Sequence, residues 1–270
     1  MSPFADRTVI VTGASSGLGE ALALALAAQG ARLALHGRSR DKLADVAARC
    51  RERGARALAC AGNVTQPEDS RELVAATVAE YGSLDYFIAN AGISMWARFE
   101  DVADLDVFKR LVEVNYLGAV YGVHFALPHL RRSRGMVVAI SSIQAKIGVP
   151  LHTGYVASKH ALQGFCEALR MELEGTGVDV LTVLPHWLKG TELRQHALGA
   201  DGHELGASSR KHSRESVTVA TTAAAILDAM RRRRRELIMP WKLKLLLGLN
   251  LVRPRWAEAI INGAVRKQNA

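Results

Sequence analysis

The strongest constraint in this chain is a regular beat of short apolar runs separated by segments of helical composition. The runs are 8–12 (TVIVT), 32–36 (RLALH), 57–61 (ALACA), 86–90 (YFIAN), 136–141 (MVVAIS), 178–184 (VDVLTVL) and 236–239 (ELIM). Their apolar residues occupy successive positions, so neither face is polar, which is what strands of a parallel sheet covered on both sides require. Between them lie 19–30, 40–54, 67–82, 102–131, 155–174 and 217–234, rich in Ala, Leu, Glu and Arg or periodic in the helical sense. Alternation of this kind predicts an α/β fold, a doubly wound parallel sheet of about seven strands with helices on both faces. At 270 residues the chain is long enough to bury a sizeable core. No Pro/Ser/Gly-rich linker divides it, so 1–240 reads as one domain, with a polar, irregular substrate loop at 186–216 and an appendage at 241–270.

The first strand is followed by Thr12-Gly13-Ala14-Ser15-Ser16-Gly17-Leu18-Gly19 and then a helix. Glycines there permit a tight turn and let backbone N–H groups approach a pyrophosphate at the positive end of the helix. The alternative is a glycine-rich turn without a ligand, and the position between first strand and first helix favours the dinucleotide. After the second strand, where Asp or Glu would hold a ribose 2′-hydroxyl, stands His36-Gly37-Arg38-Ser39-Arg40. A guanidinium pairs with a 2′-phosphate that a carboxylate would repel. Arg38 therefore predicts NADP(H) in preference to NAD(H), unless it belongs to a merely solvated helix start.

Four further features follow in order: Asn90-Ala91-Gly92 ending the fourth strand, Asn115, Ser141-Ser142 ending the fifth, and Tyr155-Val156-Ala157-Ser158-Lys159. With the glycine pattern, and with a serine thirteen residues before the tyrosine, this set resembles the short-chain dehydrogenase/reductase family over about residues 7–240. The resemblance implies a Rossmann-like fold and a tetrad of Asn115, Ser142, Tyr155 and Lys159. Tyr155 would exchange a proton with a substrate oxygen while the nicotinamide exchanges a hydride. Ser142 would hydrogen-bond that oxygen, Lys159 would hold the nicotinamide ribose and lower the tyrosine pKa, and Asn115 would steady the helix and a water leading to Lys159. The cofactor contacts implied are Gly13, Ser15, Ser16, Gly17, Leu18, Gly19, Arg38, Asn63, Val64, Asn90, Ala91, Gly92, Tyr155, Lys159, Pro185 and Thr191.

Elementary electrostatics supports the tyrosine's role. Residues four apart share one helix face, and a phenol titrates near ~10 in isolation, too high for exchange at neutral pH. An ammonium about 4 Å away at an effective dielectric of ~20 favours the phenolate by about 4 kcal/mol. The spacing therefore predicts a Tyr155 that titrates well below its ordinary value.

Three places depart from the family pattern. Asn63-Val64 stands where Asp-Val is common near the adenine, and an Asn carbonyl accepts the same hydrogen bond. Ala89 precedes Asn90 in place of a second Asn. Pro185-His186-Trp187-Leu188-Lys189-Gly190-Thr191 carries His after Pro and an extra residue before Thr, which weakens Thr191 as an amide ligand and makes His186 and Trp187, with Ser142, candidates for the substrate pocket.

Charge narrows the partners. Residues 231–270 hold eleven of the 35 Lys+Arg and two of the 26 Asp+Glu, so the whole net charge of +9 belongs to the tail. The run Trp241–Val252 with flanking Lys and Arg suits an interfacial, non-spanning contact with a membrane; the other reading is that its leucines cover the pocket or a subunit interface. Either way a lipophilic carbonyl or alcohol is the expected substrate. No aromatic-basic platform or recognition motif accompanies the charge, so nucleic acid is not expected. Three scattered cysteines, no metal-type ligand spacing, no signal-like N-terminus and no long apolar stretch point to a reduced, cytoplasmic, metal-free protein. The family resemblance implies a homodimer or homotetramer. The leading expectation is an NADP(H)-dependent carbonyl reductase or alcohol dehydrogenase; the rivals are an NAD-dependent dehydrogenase and a non-catalytic dinucleotide sensor or scaffold on the same fold.

Overall fold

The computed structural model describes residues 2–206 and 216–269. Its strands are β1 (Thr8–Thr12), β2 (Arg32–Gly37), β3 (Arg56–Ala61), β4 (Tyr86–Ala89), β5 (Met136–Ile140), β6 (Asp179–Pro185), β7 (Leu188–Lys189), β8 (Val217–Thr218) and β9 (Glu236–Met239). Seven of them form one parallel sheet in the order β3-β2-β1-β4-β5-β6-β9, and the two-residue strands β7 and β8 pair separately.

The apolar runs explain the layering. Along β1, Val9 and Val11 enter one core and Ile10 the other; along β5, Met136, Val138 and Ile140 face the first and Val137 and Ala139 the second. Period-two alternation thus sends both faces of each strand into apolar surroundings. The first core is closed by α1 (Gly17–Ala27), α2 (Arg40–Arg51) and α7 (Val219–Arg231). The second is closed by α3 (Pro67–Tyr81), α5 (Gly118–Ser133) and α6 (Thr153–Glu172). The strand order reverses between β1 and β4, which leaves a crevice at their carboxyl ends. Such a switch point is where open α/β sheets bind ligands.

One buried carboxylate fixes that reversal from the opposite end. Asp85 accepts from the Thr8 backbone N–H at 2.9 Å and from Arg7 at 2.8 Å, so the start of β1 is tied to the start of β4.

The structure refines several expected elements. Asn90 leaves β4 because its backbone N–H turns to the Thr12 hydroxyl, at 3.0 Å. The long segment at 102–131 is not one helix: α4 (Asp106–Val112) passes into a π-helical turn at Glu113–Leu117 before α5. The loop at 186–216 is less irregular than its composition predicts, since β7, a 3₁₀ turn at Glu192–Arg194 and the start of β8 lie near it; its residues 207–215 fall outside the described residues. The appendage folds into α8 (Leu243–Val252) and α9 (Pro254–Asn269). Leu243 and Ile261 bury themselves with Ile143, Leu184 and Ile238, so the tail is packed onto the end of the sheet.

Close helix–sheet contact depends on glycine at one point in particular. A Cβ at Gly122, in α5, would run into the Phe87 ring of β4, whereas one at Gly164, in α6, meets nothing within 4 Å. Gly122→Val is therefore expected to cost about 1–3 kcal/mol through overpacking and to lower the melting temperature by several degrees. Gly164→Ala is expected to stabilise by about 0.5–1 kcal/mol through helix propensity. Thermal unfolding followed by circular dichroism checks the opposite signs.

Candidate active site

The glycine turn after β1 is held by side chains from β4's end. The Thr12 hydroxyl accepts from the backbone N–H groups of Asn90 and Ala91, at 3.0 and 3.1 Å, and lies 3.3 Å from the Ile88 carbonyl, to which it donates. The Asn90 side-chain amide donates to the carbonyls of Thr12 and Gly13, at 2.9 and 3.1 Å. Asn90 thus shapes the turn with both of its amide hydrogens. Gly13 has φ +63° and a Cβ there would sit 2.8 Å from the Ala91 Cα, while a Cβ at Gly19 would strike the Gly13 carbonyl. The α1 N-terminus is left open toward the cleft: Ser16 precedes it without spending its hydroxyl on a cap, and the first-turn N–H groups have no partner within the helix.

Asn115 lies in the π-helical turn, a feature that often marks a functional site. Its Oδ1 accepts from the Ile93 N–H at 2.8 Å, and its Nδ2 donates to the Ile93 carbonyl and to the Ser158 hydroxyl, both at 2.9 Å. Ser158 in turn donates to the Tyr155 carbonyl at 2.8 Å. Asn115 therefore clamps the loop after β4 to the first turn of α6, the turn that presents Tyr155 and Lys159. A Cβ at Gly92 would lie 3.1 Å from Asn115 Oδ1 and 3.6 Å from Lys159 Nζ, so the two side chains face one another across Gly92.

Ser142 ends the extended segment after β5, and its hydroxyl accepts from the Gln144 N–H at 3.2 Å. Tyr155, Lys159, Ser142 and Asn115 are all buried. The Lys159 ammonium donates to the Ile140 carbonyl at 3.0 Å and sits 5.7 Å from the centre of the Tyr155 ring.

The electrostatics correct the sequence expectation. Burial pushes the Tyr155 phenol up to about 12, against a smaller lowering by its hydrogen bond with Ser142. Burial also pushes the Lys159 ammonium down, to about 8. Estimating the phenol from Coulomb attraction alone omitted desolvation, which penalises both charged forms at once. In the protein by itself Tyr155 is a protonated phenol at neutral pH.

Ser142, Tyr155 and Lys159 line a cavity of about 850 Å³, within the range of small-molecule sites, and Asn115 stands behind it. One end is formed by Gly13, Ser15, Ser16, Gly17, Leu18 and Gly19, then Gly37, Arg38, Ser39 and Lys42, with Asn63, Val64 and Thr65 beside them. Arg38 is exposed at this end. The Asn63 carbonyl accepts from the Thr65 N–H at 3.2 Å, and Asp69 accepts from the Asn63 N–H at 2.6 Å, so this loop is fixed by a local turn and a helix carboxylate. Asn90, Ala91 and Gly92 lie midway, and Pro185 and Thr191 close the cleft. Thr191 lies over the glycine turn, since a Cβ at Gly17 would meet its methyl at 3.4 Å.

At the other end Ser142, Tyr155, His186 and Trp187 all line the cavity. Trp187 belongs to an aromatic wall with Trp96, 6.1 Å away, and His152, 5.2 Å away, and Arg194 stacks over it at 4.8 Å. Sequence reasoning passed over Gln144, His152, Trp96 and Arg194. Gln144 is buried on the cavity wall with its Oε1 lacking a hydrogen-bond partner, and its position two residues after Ser142 was the available signal. Nothing in the sequence pairs Trp96 with Trp187, because the loop after β4 and the loop after β6 meet only through the sheet.

Known proteins share this fold. The family profile described as short chain dehydrogenase matches residues 7–200. This chain belongs to the short-chain dehydrogenase family. A relative described as 11-beta-hydroxysteroid dehydrogenase-like 3, from Arabidopsis thaliana, is 41% identical over 182 residues, covering 67% of this chain and 59% of the relative. One described as 11-beta-hydroxysteroid dehydrogenase, from Pinus massoniana, is 34% identical over 200 residues, covering 74% of this chain and 56% of the relative. The match thus spans little more than half the length of these curated relatives. Among solved structures, an alcohol dehydrogenase from the archaeon Thermococcus sibiricus, complexed with 5-hydroxy-NADP, superposes with a TM-score of 0.74 at 25% identity, covering 86% of this chain and 95% of that one. Among the described residues no cluster of three or more His, Cys, Asp or Glu is arranged to hold a metal ion.

The Asn115 clamp has a measurable weight. Asn115→Ala leaves the Ile93 backbone groups and the Ser158 hydroxyl short of a partner inside the protein. The expected loss of stability is about 1–3 kcal/mol, read as a lower urea midpoint with an unchanged m-value.

Proposed function

We propose that this short-chain dehydrogenase is an NADP(H)-dependent oxidoreductase that interconverts a lipophilic ketone or aldehyde with its alcohol, with Tyr155 as the acid/base. The observation that carries the reading is the burial of Tyr155 and Ser142 on the wall of one cavity whose far end is the open α1 N-terminus.

The residues present fit a dinucleotide. Gly13 and Gly19 are positions where a side chain would block the turn, Ser15 and Ser16 offer hydroxyls, and the helix N-terminus favours phosphate. Arg38 and Lys42 stand at the adenine end, where positive charge favours a 2′-phosphate. Asn63, Val64, Asn90, Ala91, Gly92, Pro185 and Thr191 would enclose the rest. Bound there, the cofactor supplies or accepts the hydride.

The chain's own part is proton chemistry and placement. In reduction, Ser142 donates a hydrogen bond to the carbonyl oxygen and Tyr155 delivers the phenolic proton to it as negative charge develops. Burial keeps the phenol protonated at neutral pH, so a proton is present to be delivered, and its transfer depends on a neighbouring positive charge that stabilises the phenolate. Lys159, held 5.7 Å from the ring centre, stabilises the phenolate left behind while it carries its own proton. Asn115 acts through the backbone, by fixing the turn of α6 that presents both. Trp187, packed against the rings of Trp96 and His152, lines the cavity with Ile143 and Leu198, which favours an apolar substrate body. Two relatives bear steroid dehydrogenase names, which agrees with a bulky, lipophilic alcohol or ketone.

Activity across a panel of hydrophobic ketones, followed by NADPH oxidation, tests the reading. Tyr155→Phe is expected to lower kcat on the order of 10²–10⁴-fold, the usual contribution of a general acid, with cofactor binding retained. The reductive rate is expected to fall as pH rises through about 8, where Lys159 loses its proton. Lys159→Met should be slow throughout and lack that step. A wild type and a Tyr155→Phe variant equally inert on the whole panel, yet binding NADPH tightly, would favour a sensor.

Cofactor choice is tested separately. Arg38→Asp is expected to weaken NADPH binding by roughly 10–150-fold, the worth of a charge-assisted hydrogen bond, while leaving NADH affinity nearly unchanged. Equal losses for both cofactors would overturn the preference.

A further inference from the structure

The C-terminal helices use two faces, and the fold explains only one. Inward, Leu243, Ile261, Ala257 and Val265 are buried, with Leu246 and Leu247 partly so, and this contact seats α8 and α9 on Leu184, Ile238 and Ile143. Outward, Trp241, Leu245, Leu251, Val252, Trp256 and Ile260 are exposed, Leu251 at 85% and Trp256 at 66%. Only four other large hydrophobic side chains are so exposed among the described residues. In α8, Leu245 and Val252 lie seven residues apart on one side; in α9, Trp256 and Ile260 are one turn apart. Isolated exposed apolar residues are ordinary, but six large ones gathered within and beside one helical pair suit a binding surface.

The charge around the patch says what it would bind. Lys244, Arg255, Arg266 and Lys267 stand on the two helices and Lys242 and Arg253 at the ends of α8, against a single acidic residue, Glu258. Among the described residues none of the six cations forms an ion pair. Docking against a second copy of the same face would set these cations against their like within a Debye length, which is unfavourable. An anionic lipid surface has the complementary charge and accepts tryptophan at its interface. Among the described residues no helix is long and apolar enough to cross a membrane, so the contact lies in the plane of the surface, as amphipathic helices do.

We propose that the outer face of α8 and α9 docks this protein on anionic membranes, peripherally and reversibly. The inner face of the same helices packs with Ile143, which also lines the active-site cavity. A docked molecule therefore holds its cavity close to the lipid, where a lipophilic carbonyl is concentrated.

Flotation of the full chain with phosphatidylcholine vesicles, with and without phosphatidylglycerol, tests this without reference to catalysis. The protein is expected to float with the anionic vesicles and be released by high salt, with at least ~10-fold less bound to neutral vesicles. Trp241→Ala/Leu251→Ser/Trp256→Ala is expected to stay in solution at least ~10-fold more than wild type. Because these side chains are exposed, its circular dichroism should match wild type. Lys242→Gln/Lys244→Gln/Arg253→Gln/Arg255→Gln should lose the preference for anionic lipid. The proposal is overturned if wild type ignores both vesicle types or if the apolar variant floats like wild type. It is also overturned if sedimentation shows that variant dissociating an oligomer, because the face would then bind a second copy of the chain.

Discussion

Everything this molecule offers a ligand depends on how the open ends of β1 and β4 are satisfied. Where neighbouring parallel strands leave the sheet toward opposite faces, their last backbone groups lose their ladder partners, and buried polar groups without partners are costly. Thr12 and Asn90 meet that demand with side chains: one hydroxyl takes two backbone N–H groups and one amide serves two carbonyls. The clasp leaves the glycine turn too tight for side chains at Gly13 and Gly19. The α1 N–H groups are consequently aimed into the cleft. The open helix end proposed to hold a dinucleotide is thus a by-product of closing the sheet properly.

The same economy runs through the proton-transfer end. Tyr155 and Lys159 are placed on one turn of α6 by spacing, but the direction of their pKa values is set by burial. Desolvation raises the phenol and lowers the ammonium, so each is pushed toward its neutral form. An enzyme arranged this way keeps a donor proton at neutral pH and becomes responsive to any charge that enters the cleft. Asn115, in its π-helical turn, takes part through packing and hydrogen bonds, holding Ile93 and Ser158 together rather than touching the ring of Tyr155.

The legibility of this chain in its sequence differs by element. Strands were readable because residues such as Val9, Ile10 and Val11 are apolar in succession, and only a sheet covered on both sides tolerates that. The candidate tetrad of Asn115, Ser142, Tyr155 and Lys159 was named through the family resemblance that its order and spacing carry, and the fold brings Ser142, Tyr155 and Lys159 onto one cavity. Thr191 and the substrate end were not. The loop after β6 takes its course from the β7–β8 pair and from contact with the loop after β4, and His186, Trp187 and Trp96 meet only because the sheet brings those loops together. The tail showed its basic and apolar character in sequence, but not which leucines were already used to hold it in place.

Sequence alone therefore determined the layered α/β architecture and the glycine turn, and supplied the candidate residues of the site. These follow from local periodicity, steric allowance at glycine and chemical type, each readable within a few residues. Tertiary structure decided the direction in which burial pushes Tyr155 and Lys159, the aromatic packing against Trp187 and the exposed side chains of α8 and α9. Each of those depends on burial, which is a property of the packed chain and of no short segment within it.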